Sequence, residues 1–288
     1  MMRALFLLYA IWGFNWVVMK TANAYFPPVL FVAFRFLIGA AVMLSVCAWR
    51  RIPVPERKYW KWIAATGILQ IAVNNVCMQI GMYSLTAGVV SVLNYTMPVW
   101  MAILAQLFLK ERLTLRKIAG IAICIAGLFV LMDIHDLGNM TAVSIVLAGA
   151  AAWAASGIIL KRHLQDSPPL QYSAWQMVVG SLLLFIVALI VPQPSIHWTT
   201  TAAACLLYNG ILAAAVGFFL WNYILAHMEA GKAGVAILVV PVVGVVSGIL
   251  VLGEAFTWHT ALGILLVLVG CLPSKFPQTQ CVPARAAE

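Results

Sequence analysis

Charge is scarce in this sequence. Only 9% of its 288 residues are Asp, Glu, Lys or Arg, against about a quarter in an ordinary soluble domain. A water-soluble chain of this length could not cover its surface with so few, so most of the exterior must face lipid. Metal-ligand spacing is also missing: the six cysteines, Cys47, Cys77, Cys124, Cys205, Cys271 and Cys281, stand singly with no CxxC, and read as small buried hydrophobes. The five histidines, His135, His163, His197, His227 and His259, are dispersed near helix ends or loops, which argues against an intramembrane enzyme with catalytic groups gathered at one depth. No cofactor or metal is expected. There is no glycine period, and with 64% hydrophobic residues the chain is neither fibrous nor disordered.

What is present is a succession of long apolar runs. A helix needs about 20 residues to cross the hydrocarbon core, and the runs give ten spans: about 4–22, 29–49, 62–83, 87–109, 115–132, 141–161, 170–191, 201–226, 232–252 and 257–273. Isolated segments in lipid satisfy their own backbone only as helices, so the expected class is an all-α polytopic membrane protein. The first run lacks a small-residue cleavage site and reads as a retained helix. With a cytoplasmic N-terminus, 15 of the 17 basic residues fall on the inner side, all but Lys20 and Arg35. That bias places both termini in the cytoplasm. It also makes anionic headgroups, rather than nucleic acid, the partner of the net charge of +9. Thr114 and Thr257 are expected to cap the fifth and tenth helices. Pro27-Pro28 and Pro168-Pro169 precede the second and seventh, and Trp49, Trp60, Trp62, Trp198 and Trp258 suit an interfacial belt.

The chain repeats itself. At an offset of 141, Trp12 falls on Trp153, Lys20 on Lys161 and Gly39 on Gly180. At 143, Ala87-Gly88 falls on Ala230-Gly231, Pro98 on Pro241, Glu111 on Glu254 and Thr114 on Thr257. Five helices per copy is an odd number, so the second copy starts on the opposite face of the membrane. The expected organisation is therefore an inverted repeat, residues 1–137 and 138–274, with a cytoplasmic tail at 275–288. Carriers that work by alternating access commonly have that architecture.

These motifs carry a family likeness. Ala10-Ile11-Trp12-Gly13 with Asn15-Trp16, Phe34-Arg35, Tyr83-Ser84-Leu85 before Ala87-Gly88, Pro98, and Leu109-Lys110-Glu111-Arg112-Leu113-Thr114 leading to Gly120 and Gly127 occur in order. The second half answers with Tyr223, Ala230-Gly231, Pro241 and Gly253-Glu254-Ala255-Phe256-Thr257. From about Leu5 to Leu272 the sequence resembles the drug/metabolite transporter superfamily, its EamA family of ten-helix proteins in particular, and bacterial amino-acid exporters within it. The resemblance implies a central cavity between the halves, residence in the bacterial inner membrane, and cargo among amino acids, other metabolites or toxic compounds. Arg35 corresponds to Gln176 and Asn15 to Ser156, so the pocket is not expected to be chemically symmetric.

Polar groups in hydrocarbon are costly unless satisfied, and they mark the expected passage. Trp12, Asn15 and Trp16 lie in the first helix; the two tryptophans read as wall or gate residues, packing being the alternative. The third helix is the most polar, with Gln70, Asn74, Asn75 and Gln79 beside Met78. Asn94 and Tyr95 lie one turn before Pro98. From the second half come Ser156, Trp175, Gln176, Trp221 and Asn222; Gln79 and Asn222 correspond, suggesting paired amides at one central site. Pro98 and Pro241 are expected hinges. Arg35, about seven residues into its helix, is open to three readings: a snorkelling arginine, an organiser of internal hydrogen bonds, or an anchor for a carboxylate. No carboxylate falls mid-span, which disfavours a simple proton relay and a cationic cargo. The expectation is facilitated export or exchange of amino acids, aromatic or other neutral ones, or of related metabolites, by a monomer or weak homodimer. The alternatives are a nucleotide-sugar or sugar-phosphate antiporter, which would need more cations at the pocket than Arg35 with Lys20 or Lys161, and an intramembrane enzyme.

Overall fold

A computed structural model describes residues 1–85, 87–111, 114–131, 139–190, 195–253 and 255–271. Among these, every regular element is helical. In chain order they are α1 (Met2–Ala22), α2 (Pro28–Trp49), α3 (Arg57–Met82), α4 (Ala87–Asn94), α5 (Met97–Leu109), α6 (Leu115–Leu131), α7 (Met140–His163), α8 (Pro169–Ile190), α9 (Thr200–His227), α10 (Ala230–Ile237), α11 (Val239–Leu252) and α12 (Trp258–Cys271). Among the described residues eight spans are long and apolar enough to cross a bilayer, α4–α5 and α10–α11 each counting as one broken span. The expected fifth and tenth spans are shorter, 17 and 14 residues. Glu254, the boundary near residue 137 and the tail at 275–288 lie outside the described residues.

Local chemistry explains the helix ends. Proline stands in the first turn of α2 and opens α8 at Pro169, where its missing N–H removes nothing from the helix. Thr114 Oγ1 accepts the N–H of Lys117, and Thr257 Oγ1 that of Thr260. The breaks at 95–96 and at 238 fall just before Pro98 and Pro241, whose rings cannot continue the preceding turn. Lys110 and Gly253 end α5 and α11 in the left-handed region, at φ 57° and 68°.

Two π-helical stretches, Gly67–Val73 in α3 and Tyr208–Val216 in α9, depart from the regular helices expected there. A π turn takes in one more residue than an α turn, which rotates everything beyond it relative to an unbroken α register. Small residues bring the helices together: a Cβ on Gly13 of α1 would meet Val243 of α11 at 2.5 Å, and one on Gly180 of α8 would meet Ile71 of α3 at 2.4 Å. The pair α6 and α12 packs through Gly127 and Gly270. There Cys124 Sγ lies 3.7 Å from Cys271 Sγ, buried, so two cysteines that stand singly in sequence are neighbours in space.

Candidate functional site

α3 turns Gln70, within its π stretch, and Asn74, Asn75, Met78 and Gln79, beyond it, toward α1 and the α4–α5 break, and a cavity opens between them. Its wall also carries Trp12, Asn15, Trp16, Met19, Arg35, Met82, Asn94, Tyr95, Trp153, Ala213 and Phe218, and it encloses about 820 Å³ including its open mouth. The lining runs from Trp12 in the middle of α1 and Asn94 at the α4–α5 break to Met19 and Met82 near the ends of α1 and α3. The mouth is therefore at the end of the bundle opposite Lys110 and Glu111.

Hydrogen bonds hold much of the wall in place. Asn74 Nδ2 donates to Asn94 Oδ1 at 2.7 Å and to the Gly149 carbonyl at 3.0 Å, tying α3 to α4 and α7. Trp12 Nε1 donates to the carbonyl of Ala213, inside the second π stretch, at 2.9 Å, and Tyr208 returns a bond from its hydroxyl to the Ile11 carbonyl at the same distance. The Trp12 ring also lies against Trp153, Phe218 and Trp221. It is thus a pinned wall residue in this conformation, while Trp16 stacks at a tilt on Tyr95.

Arg35 enters the cavity with neutral contacts alone. Its terminal nitrogens lie 3.3 Å from Met19 Sδ and 3.2 Å from Asn75 Oδ1, its guanidinium carbon 4.6 Å over the Phe36 ring. Nε is buried with no acceptor, and so, on the same wall, are the amide nitrogen of Gln70 and the amide oxygen of Asn15 without partners.

Ten of the fifteen passage residues expected from sequence meet here: Trp12, Asn15, Trp16, Arg35, Asn74, Asn75, Met78, Gln79, Asn94 and Tyr95. Five do not, and all five belong to the second half. Ser156 turns its hydroxyl back to the Trp153 carbonyl; Trp175 packs on Trp60; Gln176 and Trp221 are buried; Asn222 donates to Ser173 Oγ. Gln79 and Asn222, expected to pair across one central site, do not share a cavity in this conformation: Gln79 lines it, whereas Asn222 is buried against Ser173. Sequence reasoning left out Met19, Met82, Trp153, Ala213 and Phe218, whose apolar character carries no signal of lining a cavity.

At the opposite end polar contacts gather around the start of α10. Glu111 accepts the N–H groups of Ala230 and Gly231 at 2.8 and 3.1 Å, an anion on the positive end of α10. Lys117 and Lys232 bind the two oxygens of Glu229 at 3.1 and 2.8 Å, and Lys161 donates to the Met228 carbonyl. Burial pushes the Glu229 carboxyl up, but the hydrogen bonds from Lys232 and Lys117 outweigh it and hold the group below its ordinary range. Among the described residues no group of His, Cys, Asp and Glu is arranged to hold a metal.

Comparison with known proteins agrees on one kind of molecule. The model of the EamA-like transporter family matches twice, over residues 2–133 and 140–273. An uncharacterized transporter, YoaV of Bacillus subtilis, is 28% identical over 92% of this chain and 93% of its own length. A probable amino-acid metabolite efflux pump of Salmonella typhimurium is 28% identical over 94% and 93%. One of Escherichia coli with the same description is 27% identical over 94% and 93%. A crystal structure superposes with a TM-score of 0.85 at 18% identity, covering 94% of this chain and 96% of the other, a likeness of fold.

Proposed function

The chain belongs to the EamA-like transporter family, a multi-pass membrane protein that moves a small molecule, and from that premise we propose that it exports amino acids or related small metabolites across the bacterial inner membrane by alternating access. The observation that carries this reading is a cavity lined by amides, Arg35 and aromatic side chains, open at one end of the bundle and closed at the other by Glu111 on α10.

The proposed architecture is ten spans in two inverted halves, 1–137 and 138–274, with a tail from 275. It is supported by the double family match and by features that recur 143 residues apart: the proline-linked break and the left-handed cap at Lys110 and Gly253. With both termini cytoplasmic, as the basic residues favour, the cavity opens outward and the Glu111 contacts close the cytoplasmic side. Pro98 and Pro241 then serve as hinges. The second half holds buried polar atoms without partners: Gln176 at both amide atoms, Asn209 and Asn222 at their oxygens, and the indole nitrogens of Trp153 and Trp221. Orphaned groups of this kind cost free energy in a closed core. They are explained if the inward-open conformer exposes them to water and cargo, with Ser156 and Trp175 at its edge.

Among the described residues no carboxylate lines the cavity, so facilitated diffusion or exchange fits better than proton coupling through an acid. Arg35 is the single cation among the described lining residues, too few for a sugar-phosphate or nucleotide-sugar cargo. The test is counterflow in liposomes: labelled amino acid should enter faster when the same unlabelled amino acid is trapped inside. Absence of uptake for amino acids, amines, nucleosides and sugars alike, with monodisperse protein, would overturn the reading.

A further inference from the structure

Taking the cavity as the cargo site of the function proposed above, we infer that Arg35 is its specificity-determining residue: it binds the carboxylate of an aromatic or bulky apolar monocarboxylate, and an amino group on the cargo is not required. Three observations converge on this.

The first is charge. A guanidinium inside a membrane-spanning bundle is ordinarily compensated by a carboxylate, yet Arg35 has only a thioether sulfur, an amide oxygen and a ring face. Among the described residues no acid lines the cavity with it. Each terminal nitrogen carries two N–H groups, so one on each remains uncommitted, and the N–H at Nε has no acceptor. These are the paired donors that meet the two oxygens of a carboxylate side by side. A snorkelling arginine would direct these groups to the interface. Arg35 instead turns inward, toward Met19 and Asn75 on the cavity wall.

The second is the neighbouring amide inventory. Gln70, a residue of the same wall, is 3% exposed, and its amide nitrogen is buried without an acceptor, an unsatisfied donor beside the cavity. On the acceptor side the amide oxygen of Asn15 is buried and neutral, without charge to compensate an ammonium group. The wall thus favours a net anion over a net cation, and takes a zwitterion through its carboxylate.

The third is the rest of the surface. Trp12, Trp16, Tyr95, Trp153 and Phe218 supply five aromatic rings, a wall that suits an aromatic or bulky apolar group.

The test uses the full chain in detergent with four probes of one skeleton: 3-phenylpropanoate, phenylalanine, 3-phenylpropanamide and 2-phenylethylamine, titrated calorimetrically. The two carboxylates should bind at least about tenfold more tightly than the amide and the amine, as expected for a desolvated charge-assisted pair. Arg35→Gln should abolish that preference, and Arg35→Lys should restore part of it. The comparison among probes on the unaltered protein stands even if Arg35→Gln does not fold. Equal binding of amide and carboxylate, or tighter binding of the amine, overturns the role of Arg35 while leaving the cavity as cargo site. Binding by none of the four overturns the proposed cargo class, and the liposome counterflow separately decides whether the protein transports.

Discussion

Glu111 and Ala230 are 119 residues apart in sequence, yet the carboxylate of one accepts the backbone N–H of the other at 2.8 Å. With the bond from Gly231, this joins the α5–α6 connection to the start of α10. Glu111→Ala should therefore destabilise closure at this end by about 2–4 kcal/mol, the worth of two hydrogen bonds to a charged group less what water returns. Glu111→Gln, which keeps an acceptor but not the charge, should cost less. Spin labels at Leu107 and His227 should show a longer distance population in Glu111→Ala, and an unchanged distribution would refute the closing role.

The Glu229 bridge sets a second expectation. Its carboxyl is held below the ordinary range in this conformation, so its contribution to closure is complete above the ordinary carboxylate pKa of about 4.3. It is lost as the pH falls through that value and below. The same label distances should be constant between about pH 6 and 8 and lengthen only in more acidic buffer. A transition near neutrality would assign the pH response to another group.

Two glycines should behave oppositely. A Cβ at Gly217 would stand 2.2 Å from Trp12 Nε1, the atom that donates to Ala213. Gly217→Ala should force the ring from its place and lower stability by about 1–3 kcal/mol or more. At Gly231 the nearest atom to such a Cβ is Glu111 Oε2 at 3.6 Å, ordinary contact, and the backbone N–H is retained. Gly231→Ala should leave the melting temperature nearly unchanged. Thermal unfolding in detergent distinguishes the two.

Asn74 links three helices through one amide nitrogen. Asn74→Ala leaves Asn94 Oδ1 and the Gly149 carbonyl without that donor, at a cost of about 1–3 kcal/mol. Asn94→Ala removes only one of the two bonds and should cost less. Both should reduce transport, since both bonds fix the cavity wall. Melting curves and initial uptake rates measured together would check the order.

The helices were legible because lipid imposes a length, a composition and a charge bias that the chain displays openly. Thr114 and Thr257 cap as their positions suggest, and proline stands in the first turn of α2 and at the start of α8. The polar face of α3 was legible for a related reason: Asn74 and Gln79 have no reason to face lipid. Its detailed composition was not, since a π stretch such as Gly67–Val73 shifts the face without a sequence mark of its own. Ser156, Gln176 and Asn222 were expected at the cavity because they are polar groups in apolar spans at positions that the repeat matches to Asn15, Arg35 and Gln79. A single conformation places matching residues in unlike surroundings. Met19 and Met82 were missed because nothing distinguishes a methionine beside a cavity from one in a core.

Those methionines, with Met78, bear on what the protein tolerates. Thioether chains are unbranched and adjust to surfaces of differing shape, so the wall they form conforms to the apolar part of a visiting molecule. Met19 also supplies the sulfur against Arg35. A guest that reshapes this side chain therefore alters the guanidinium's nearest neighbour, and accommodation of bulk and recognition of charge are mechanically linked through one flexible residue.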